Sequence, residues 1–160
     1  MTSSGNATTF RTLSDREIIM ERVFDAPREL VFEAYTDPRH IPHWWGPRGM
    51  STIVDSMDVR PGGSWRFVHR DQDDAEYGFH GEYREVVPPA RLVSTFEFEG
   101  MPGHVLVDTA TFEEVDGKTR LTVTSLFASG DDLDGMVASG MEAGAIESWD
   151  RLAELLETLK

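Results

Sequence analysis

The chain has 160 residues, a length that suits one domain with a core large enough to surround a small cavity. Its 29 acidic and 15 basic residues give a formal net charge of −14, which argues against binding nucleic acid or anionic lipid through a basic surface. There is no cysteine, so disulfides and thiolate chemistry are excluded. Without a signal-peptide pattern or an apolar run of membrane-spanning length, we expect a soluble cytoplasmic protein.

The first quarter of the sequence predicts a leader, a strand and two short helices. Residues 1–15 are rich in Ser, Thr, Gly and Asn, which is typical of a flexible leader, and residues 16–160 are expected to form a single domain. The apolar run at residues 16–24 predicts a strand. Pro27 then suits the first position of a helix, and a second short helical turn follows Asp37-Pro38.

The middle of the sequence predicts six consecutive strands joined by short turns. Turn signals such as Pro61-Gly62-Gly63 and Asp116-Gly117 separate segments that are rich in aromatic and β-branched residues. The predicted strands are residues 50–59, 64–70, 77–87, 91–99, 104–114 and 119–127. Hairpin-linked strands form an antiparallel meander, which buries one face and leaves the other in water.

The last 21 residues predict a long amphipathic helix. A mostly apolar stripe recurs at steps of three and four, while acidic residues and Arg151 occupy the opposite side. Such a helix has to bury its stripe, and the sheet is the partner that the sequence offers. We therefore predict an α+β fold in which a curved antiparallel sheet wraps around this helix. Its first turns, GMEAGA, have small side chains that leave space unfilled.

Three stretches resemble a known family. They are residues 22–50, RVFDAPRELVFEAYTDPRHIPHWWGPRGM, residues 58–67, DVRPGGSWRF, and the closing GMEAG…SWDRLAELL. They are similar to the START-like, or SRPBCC, superfamily, and within it to the homologues of the heat shock protein 90 ATPase activator. The resemblance runs from about residue 17 to residue 160. It implies a helix-grip fold with a cavity between sheet and helix, in a superfamily whose members carry apolar ligands, act as cyclases or dehydratases, or assist a chaperone.

Strand alternation indicates which side chains point toward the helix. Together with the inward side of the helix, it predicts a ligand cavity lined by Trp65, Phe67, His69, Tyr83, Phe96, Asp108, Phe112, Met141, Ala145 and Ser148. The alternative is that these aromatic residues simply pack the core, as they do in many proteins.

Asp108 stands out because the family pattern usually has an apolar residue at its position. It shares strand parity with Leu106, Ala110 and Phe112, so a regular strand would bury a carboxylate under the helix. One hypothesis is that Asp108 forms a hydrogen bond with a ligand's polar end. The alternative is a local bulge that turns it to solvent.

Trp44 and Trp45 precede a Gly-Pro loop and are expected to close one end of the cavity, either as an anchor or as a gate. His40 and His43 have a spacing that a helix places on one side, but they flank a proline on an expected surface turn. We therefore expect no metal and no cofactor.

These features favour a non-catalytic protein, a monomer or homodimer, that binds a small apolar or aromatic molecule. One alternative is a chaperone-assisting role, with a chaperone as partner. Another is a cyclase- or dehydratase-type enzyme, for which His69 and Asp108 are the acid–base pair that the sequence offers.

Overall fold

The computed structural model describes residues 7–160, which form eight strands and four helices. In chain order they are β1 (Thr9–Ser14), β2 (Glu17–Phe24), α1 (Arg28–Thr36), α2 (Ile41–Trp44), β3 (Ser51–Met57), β4 (Ser64–Arg70), β5 (Glu76–Val87), β6 (Arg91–Phe98), β7 (Leu106–Val115), β8 (Lys118–Leu126), α3 (Gly130–Ala138) and α4 (Met141–Leu159).

The strands form one antiparallel sheet in the order β1-β2-β8-β7-β6-β5-β4-β3. Its run from β3 to β8 is the predicted hairpin meander. Register shifts interrupt the β3–β4 pairing between Val54 and Ser56 and the β5–β6 pairing between Tyr83 and Glu85. Such irregularities bend a strand and increase its twist, which helps the sheet to curve. The predicted α+β helix-grip architecture is confirmed.

Strand β1 contradicts the prediction of a flexible leader over residues 1–15. Thr9–Ser14 pairs antiparallel with β2, and Phe10 lies opposite Met20 and packs against a small buried cluster. The leader prediction is therefore wrong for residues 9–14, while residues 1–6 lie outside the described part of the chain. The six residues TFRTLS carry only two large apolar side chains, so pairing to β2 rather than local pattern defines this edge strand.

Helix α3 was not predicted. It begins after Ser129, whose Oγ accepts a hydrogen bond from the backbone N–H of Asp132 at 3.1 Å. Asp131 and Asp132 lie in its first turn, where acidic residues interact favourably with the helix dipole. The helix buries Leu133 alone, so its apolar periodicity is weak and its capping residue is the main sequence signal.

Helix α4 lies against the concave face of the sheet, as predicted. Ser148, Trp149, Leu152 and Leu156 are its buried residues. The Trp149 ring meets the Phe24 ring edge-to-face, with the ring centroids 5.6 Å apart. None of the helices in residues 7–160 combines the length and apolar character needed to cross a bilayer.

Gly135 in α3 offers a test of how much the glycine weakens this helix. A methyl group added at Gly135 would meet no atom within 4 Å. Gly135→Ala is expected to raise the free energy of unfolding by about 0.5–1 kcal/mol, because alanine loses less backbone entropy in a helix. Urea titration measures this change. Gly140→Ala is the matched control, because its φ of +86° strains an alanine and should lower stability. An unchanged midpoint for Gly135→Ala would contradict the prediction.

Candidate functional site

A cavity of about 370 Å³ lies between the concave face of the sheet and α4. Nine of the ten predicted lining residues are on its wall: Trp65, Phe67, His69, Tyr83, Phe96, Asp108, Met141, Ala145 and Ser148. Gly144 and Ala145 are the small residues that keep the start of α4 from filling this space, and a methyl group added at Gly144 would meet no atom within 4 Å.

Phe112 is the predicted lining residue that the structure places elsewhere. Its side chain is 1% exposed and is covered by α1. Its ring packs edge-to-face against Phe32 and Tyr35, with centroid distances of 5.1 and 5.6 Å. Strand parity gave the correct face of β7 but not the position of α1 above it, so Phe112 belongs to the core and not to the cavity wall.

Trp45 is the centre of the aromatic part of the wall. Its ring centroid lies 5.0 Å from that of Phe67, 5.4 Å from that of Phe79 and 4.8 Å from that of His69. Trp44 also borders the cavity but is 2% exposed, and its Nε1 donates a hydrogen bond to the carbonyl of Ala34 at 2.9 Å. Trp44 therefore connects α2 to α1, and Trp45 closes the cavity beside them.

The loop that follows the two tryptophans is attached to α4 through Ser148 and Arg151. Ser148 Oγ donates to the carbonyl of Trp44 at 3.0 Å and accepts from the N–H of Gly46 at 3.1 Å. Arg151 Nη1 donates to the carbonyl of Gly46 at 2.9 Å. Arg151 was expected to face water, but it is half-buried, and burial lowers its pKa. These hydrogen bonds favour an anchoring role for the Trp44-Trp45 segment over a gating role.

Asp108 lies on a regular part of β7, so the bulge alternative is wrong. It pairs with Ser94 of β6 and Ser125 of β8 without a register shift. Ser125 Oγ donates a hydrogen bond to Asp108 Oδ1 at 2.5 Å. Burial raises the pKa of Asp108 to about 6, although the Ser125 bond acts in the opposite direction. The residue keeps some accessible surface because it borders the cavity.

Tyr35 is a polar cavity residue that sequence reasoning missed. It lies on α1, and its hydroxyl accepts a hydrogen bond from Trp149 Nε1 at 2.8 Å. Burial raises the pKa of Tyr35 well above its usual range, and the nearby charge of Asp108 raises it further. Helix α1 was predicted, but no sequence pattern indicated that one of its residues would lie near β7.

His69 and Asp108, the acid–base pair that the enzyme alternative requires, both border the cavity but lie on separate parts of the sheet. His69 is on β4 and Asp108 on β7, with β5 and β6 between them, and no hydrogen bond joins the two side chains. His69 Nε2 is buried without a hydrogen-bond partner in the described residues. Burial lowers the pKa of His69 to about 4, with a smaller effect from Arg151, so the ring is neutral at neutral pH.

Parts of the wall come from elements that the sequence did not predict to line a cavity. Phe10 of β1 and Met136 of α3 contribute to it. Both elements were absent from the predicted fold, so neither residue was a candidate. Within the described residues, the side chain of His40 lies near those of Glu33 and Asp37, and its Nε2 is 3.0 Å from Glu33 Oε2.

The raised pKa of Asp108 predicts a pH-dependent gain of stability on Asp108→Asn. The folded protein holds this proton more tightly than the ordinary pKa of 3.8 implies, so ionised Asp108 destabilises the fold above about pH 6. The variant should be more stable by up to about 3 kcal/mol at pH 8, and by less than about 1 kcal/mol at pH 4. Urea titrations at the two pH values measure this. The control Glu114→Gln, at an exposed position of the same strand, should show no gain of stability at either pH. An equal gain for Asp108→Asn at both pH values would contradict the prediction.

The curved sheet, the long terminal helix and the cavity between them define a protein of the START-like, helix-grip class. The sequence profile described as "Activator of Hsp90 ATPase homolog 1-like protein" matches residues 25–157. The chain belongs to this family, as the sequence resemblance implied.

Solved structures with the same fold cover nearly the whole chain. Protein Ms6760 from Mycobacterium smegmatis is 27% identical over 93% of this chain and 96% of its own, with a TM-score of 0.84. A protein from Staphylococcus epidermidis is 28% identical over 95% of each chain, with a TM-score of 0.82. A Rhodobacter sphaeroides protein, 24% identical over 94% of this chain and 99% of its own with a TM-score of 0.88, shows the fold alone. Comparison with curated proteins gives no match.

Proposed function

We propose that this protein binds a small apolar or aromatic molecule in the cavity between its sheet and α4, without transforming it chemically. The observation that carries this proposal is the open volume of about 370 Å³ behind an aromatic wall. Protein interiors are close-packed, and a void of this size lies in the range of small-molecule pockets. Such a volume reduces the packing that stabilises the fold, so a ligand that fills it would add stability.

The arrangement of polar groups supports binding rather than catalysis. A general base has to reach the proton that it removes, directly or through one water molecule. Asp108 is held by Ser125, whereas His69 is neutral, buried and separated from Asp108 by two strands. The polar groups around Asp108 are therefore arranged to orient a ligand rather than to pass a proton between two partners.

Native mass spectrometry of the protein purified from its own host tests this proposal. A retained ligand would add a discrete mass to the intact protein, and this mass would disappear after denaturation. Titration of the ligand-free protein with naphthylmethanol, a neutral aromatic probe, provides the second measurement. Saturable binding with one site would support the proposal. If no mass is retained and the probe does not bind, the cavity does not serve as a binding site.

A chaperone-assisting role is the second candidate, because the family description names an ATPase activator. Such a role requires a protein–protein surface and does not require the cavity. Calorimetric titration of the full chain with an Hsp90-type chaperone from the same host tests it. Binding that persists after the cavity has been filled by Ala145→Phe would support this candidate. No detectable heat at concentrations of about 100 μM would argue against an affinity of functional strength.

A further inference from the structure

The charge of the cavity wall is unbalanced. Among the described residues that line it, Asp108 is the one carboxylate, and there is neither lysine nor arginine. His69 is the remaining side chain that is able to carry a positive charge, and its pKa of about 4 leaves it neutral at neutral pH. The described wall therefore has a formal charge of −1 and no cationic lining residue to balance it, and the nearby Arg151 is bound to the carbonyl of Gly46.

One oxygen of Asp108 is available to a ligand. Oδ1 accepts the hydrogen bond from Ser125, while Oδ2 accepts none from the described residues. Oδ2 is not fully buried, so a ligand in the cavity is able to reach it. Since Asp108 borders the cavity, Oδ2 faces the open volume.

We propose that the ligand is a small organic cation, a protonated amine on an apolar or aromatic body, whose ammonium group pairs with Asp108 Oδ2. This inference rests on the proposed binding function and names its ligand class. An ionised carboxylate that loses its water to an apolar ligand becomes costly, whereas a cationic donor replaces that water and compensates the charge. The aromatic rings favour the same choice, because the faces of Trp and Phe rings attract cations.

Neighbouring residues fit this geometry. Ser94 lies directly opposite Asp108 in the β6–β7 pairing, and Phe96 is two residues further along β6 on the same face. Diagonal neighbours on one face of a sheet are within reach of aromatic side chains. The body of an amine paired with Asp108 therefore extends along β6 toward Phe96 and the aromatic wall around Trp45.

An anionic ligand is disfavoured by charge repulsion from Asp108, and an alcohol leaves the carboxylate charge uncompensated. The Tyr35 hydroxyl accepts from Trp149 and has its own proton free of any described acceptor, so it is able to donate to a ligand oxygen. It does not supply a positive charge.

The pH dependence of amine binding follows from the groups that face the cavity. These titratable groups are Tyr35 from α1, His69 from β4, Tyr83 from β5 and Asp108 from β7. Burial raises the pKa of both tyrosines well above their usual range and lowers that of His69 to about 4. Asp108, with its pKa of about 6, is therefore the one described cavity group that changes charge between pH 5 and pH 8.

Three matched probes test the inference: naphthylmethylamine, naphthylmethanol and naphthoate of the same ring isomer. They have one body and differ in charge. At pH 8, calorimetry should show the amine binding about ten- to a hundredfold more tightly than the alcohol, and naphthoate binding weakest. Below about pH 6 the affinity for the amine should fall by up to about tenfold per pH unit until its advantage is lost, while the affinity for the alcohol should not fall.

Asp108→Asn keeps the acceptor for Ser125 but removes the charge. The amine should lose its advantage over the alcohol in this variant, and the alcohol should bind at least as tightly as in the unmodified protein, because no uncompensated charge remains. Glu114→Gln removes a charge from an exposed position of the same strand and should preserve the advantage. If Asp108→Asn keeps the advantage of the amine, the preference comes from the overall charge of −14 and the inference fails.

The outcomes separate this inference from the proposed function. Equal affinity for the amine and the alcohol in the unmodified protein overturns the amine preference and leaves the binding function standing. Tighter binding of naphthoate overturns it too. If no probe binds although an apolar molecule is retained from the host, the amine inference fails alone. If nothing binds and nothing is retained, both fail.

Discussion

Trp149→Ala is expected to lower the free energy of unfolding by about 3–5 kcal/mol, because it removes a large buried side chain from the centre of α4. Trp149 is 1% exposed and packs edge-to-face on Phe24. Its Nε1 also donates to the Tyr35 hydroxyl at 2.8 Å, so the substitution removes a hydrogen bond between α4 and α1. The space left by the indole ring joins the existing cavity, so few surrounding side chains are close enough to move in and fill it. Urea denaturation measures the loss.

Trp149→Phe separates the ring from the hydrogen bond. It keeps most of the apolar contact with Phe24 and removes the donor to Tyr35, so a loss of about 1–2 kcal/mol is expected. In the background of Tyr35→Phe, the same change should cost less, since the hydroxyl is already absent. A loss below about 1.5 kcal/mol for Trp149→Ala would show that this residue does not hold the helix against the sheet.

Ala145→Phe is expected to abolish binding of small molecules while preserving the fold. Ala145 is on the inner side of α4 and borders the cavity, so a phenyl ring at this position occupies the volume that a ligand needs. The affinity for naphthylmethanol should fall by about a hundredfold or more, which corresponds to a loss of about 2.7 kcal/mol. Because the ring fills empty space, the stability should change by less than about 1 kcal/mol.

Ala143→Phe is the matched control for this prediction. Ala143 lies two residues earlier on the same helix and is exposed, so the added ring should leave the affinity for the probe unchanged. We expect both variants to fold fully and only Ala145→Phe to lose binding of the probe. Normal binding in Ala145→Phe would place the ligand outside the cavity.

Local sequence patterns predicted the long helix and those strands that pair with the strand before or after them in the chain. The meander from β3 to β8 follows from turn signals and strand alternation, and the long helix follows from its apolar stripe. The same alternation placed Trp65, Phe67 and His69 on the cavity wall, because the parity of a regular strand determines its inward face. The family resemblance supported this architecture, and the match over residues 25–157 confirms the family.

The remaining features depend on contacts between distant parts of the chain. Phe112 has the correct parity, but α1 lies over it and removes it from the cavity. Tyr35 enters the site because α1 crosses the sheet near β7, and no spacing rule relates residue 35 to residue 108. Arg151 lies on the predicted polar side of α4, yet it is half-buried, since the loop after Trp45 offers its carbonyl groups there.

The position of β1 has a practical consequence for work on this protein. If residues 1–15 were treated as a flexible leader, an expression clone would be shortened to begin at residue 16. Such a clone would lose the edge strand β1 and, with it, Phe10 from the cavity wall. The freed side of β2 would present unpaired backbone groups, which are a template for aggregation between molecules. Poor solubility of such a clone would therefore reflect the missing strand and not an unstable domain.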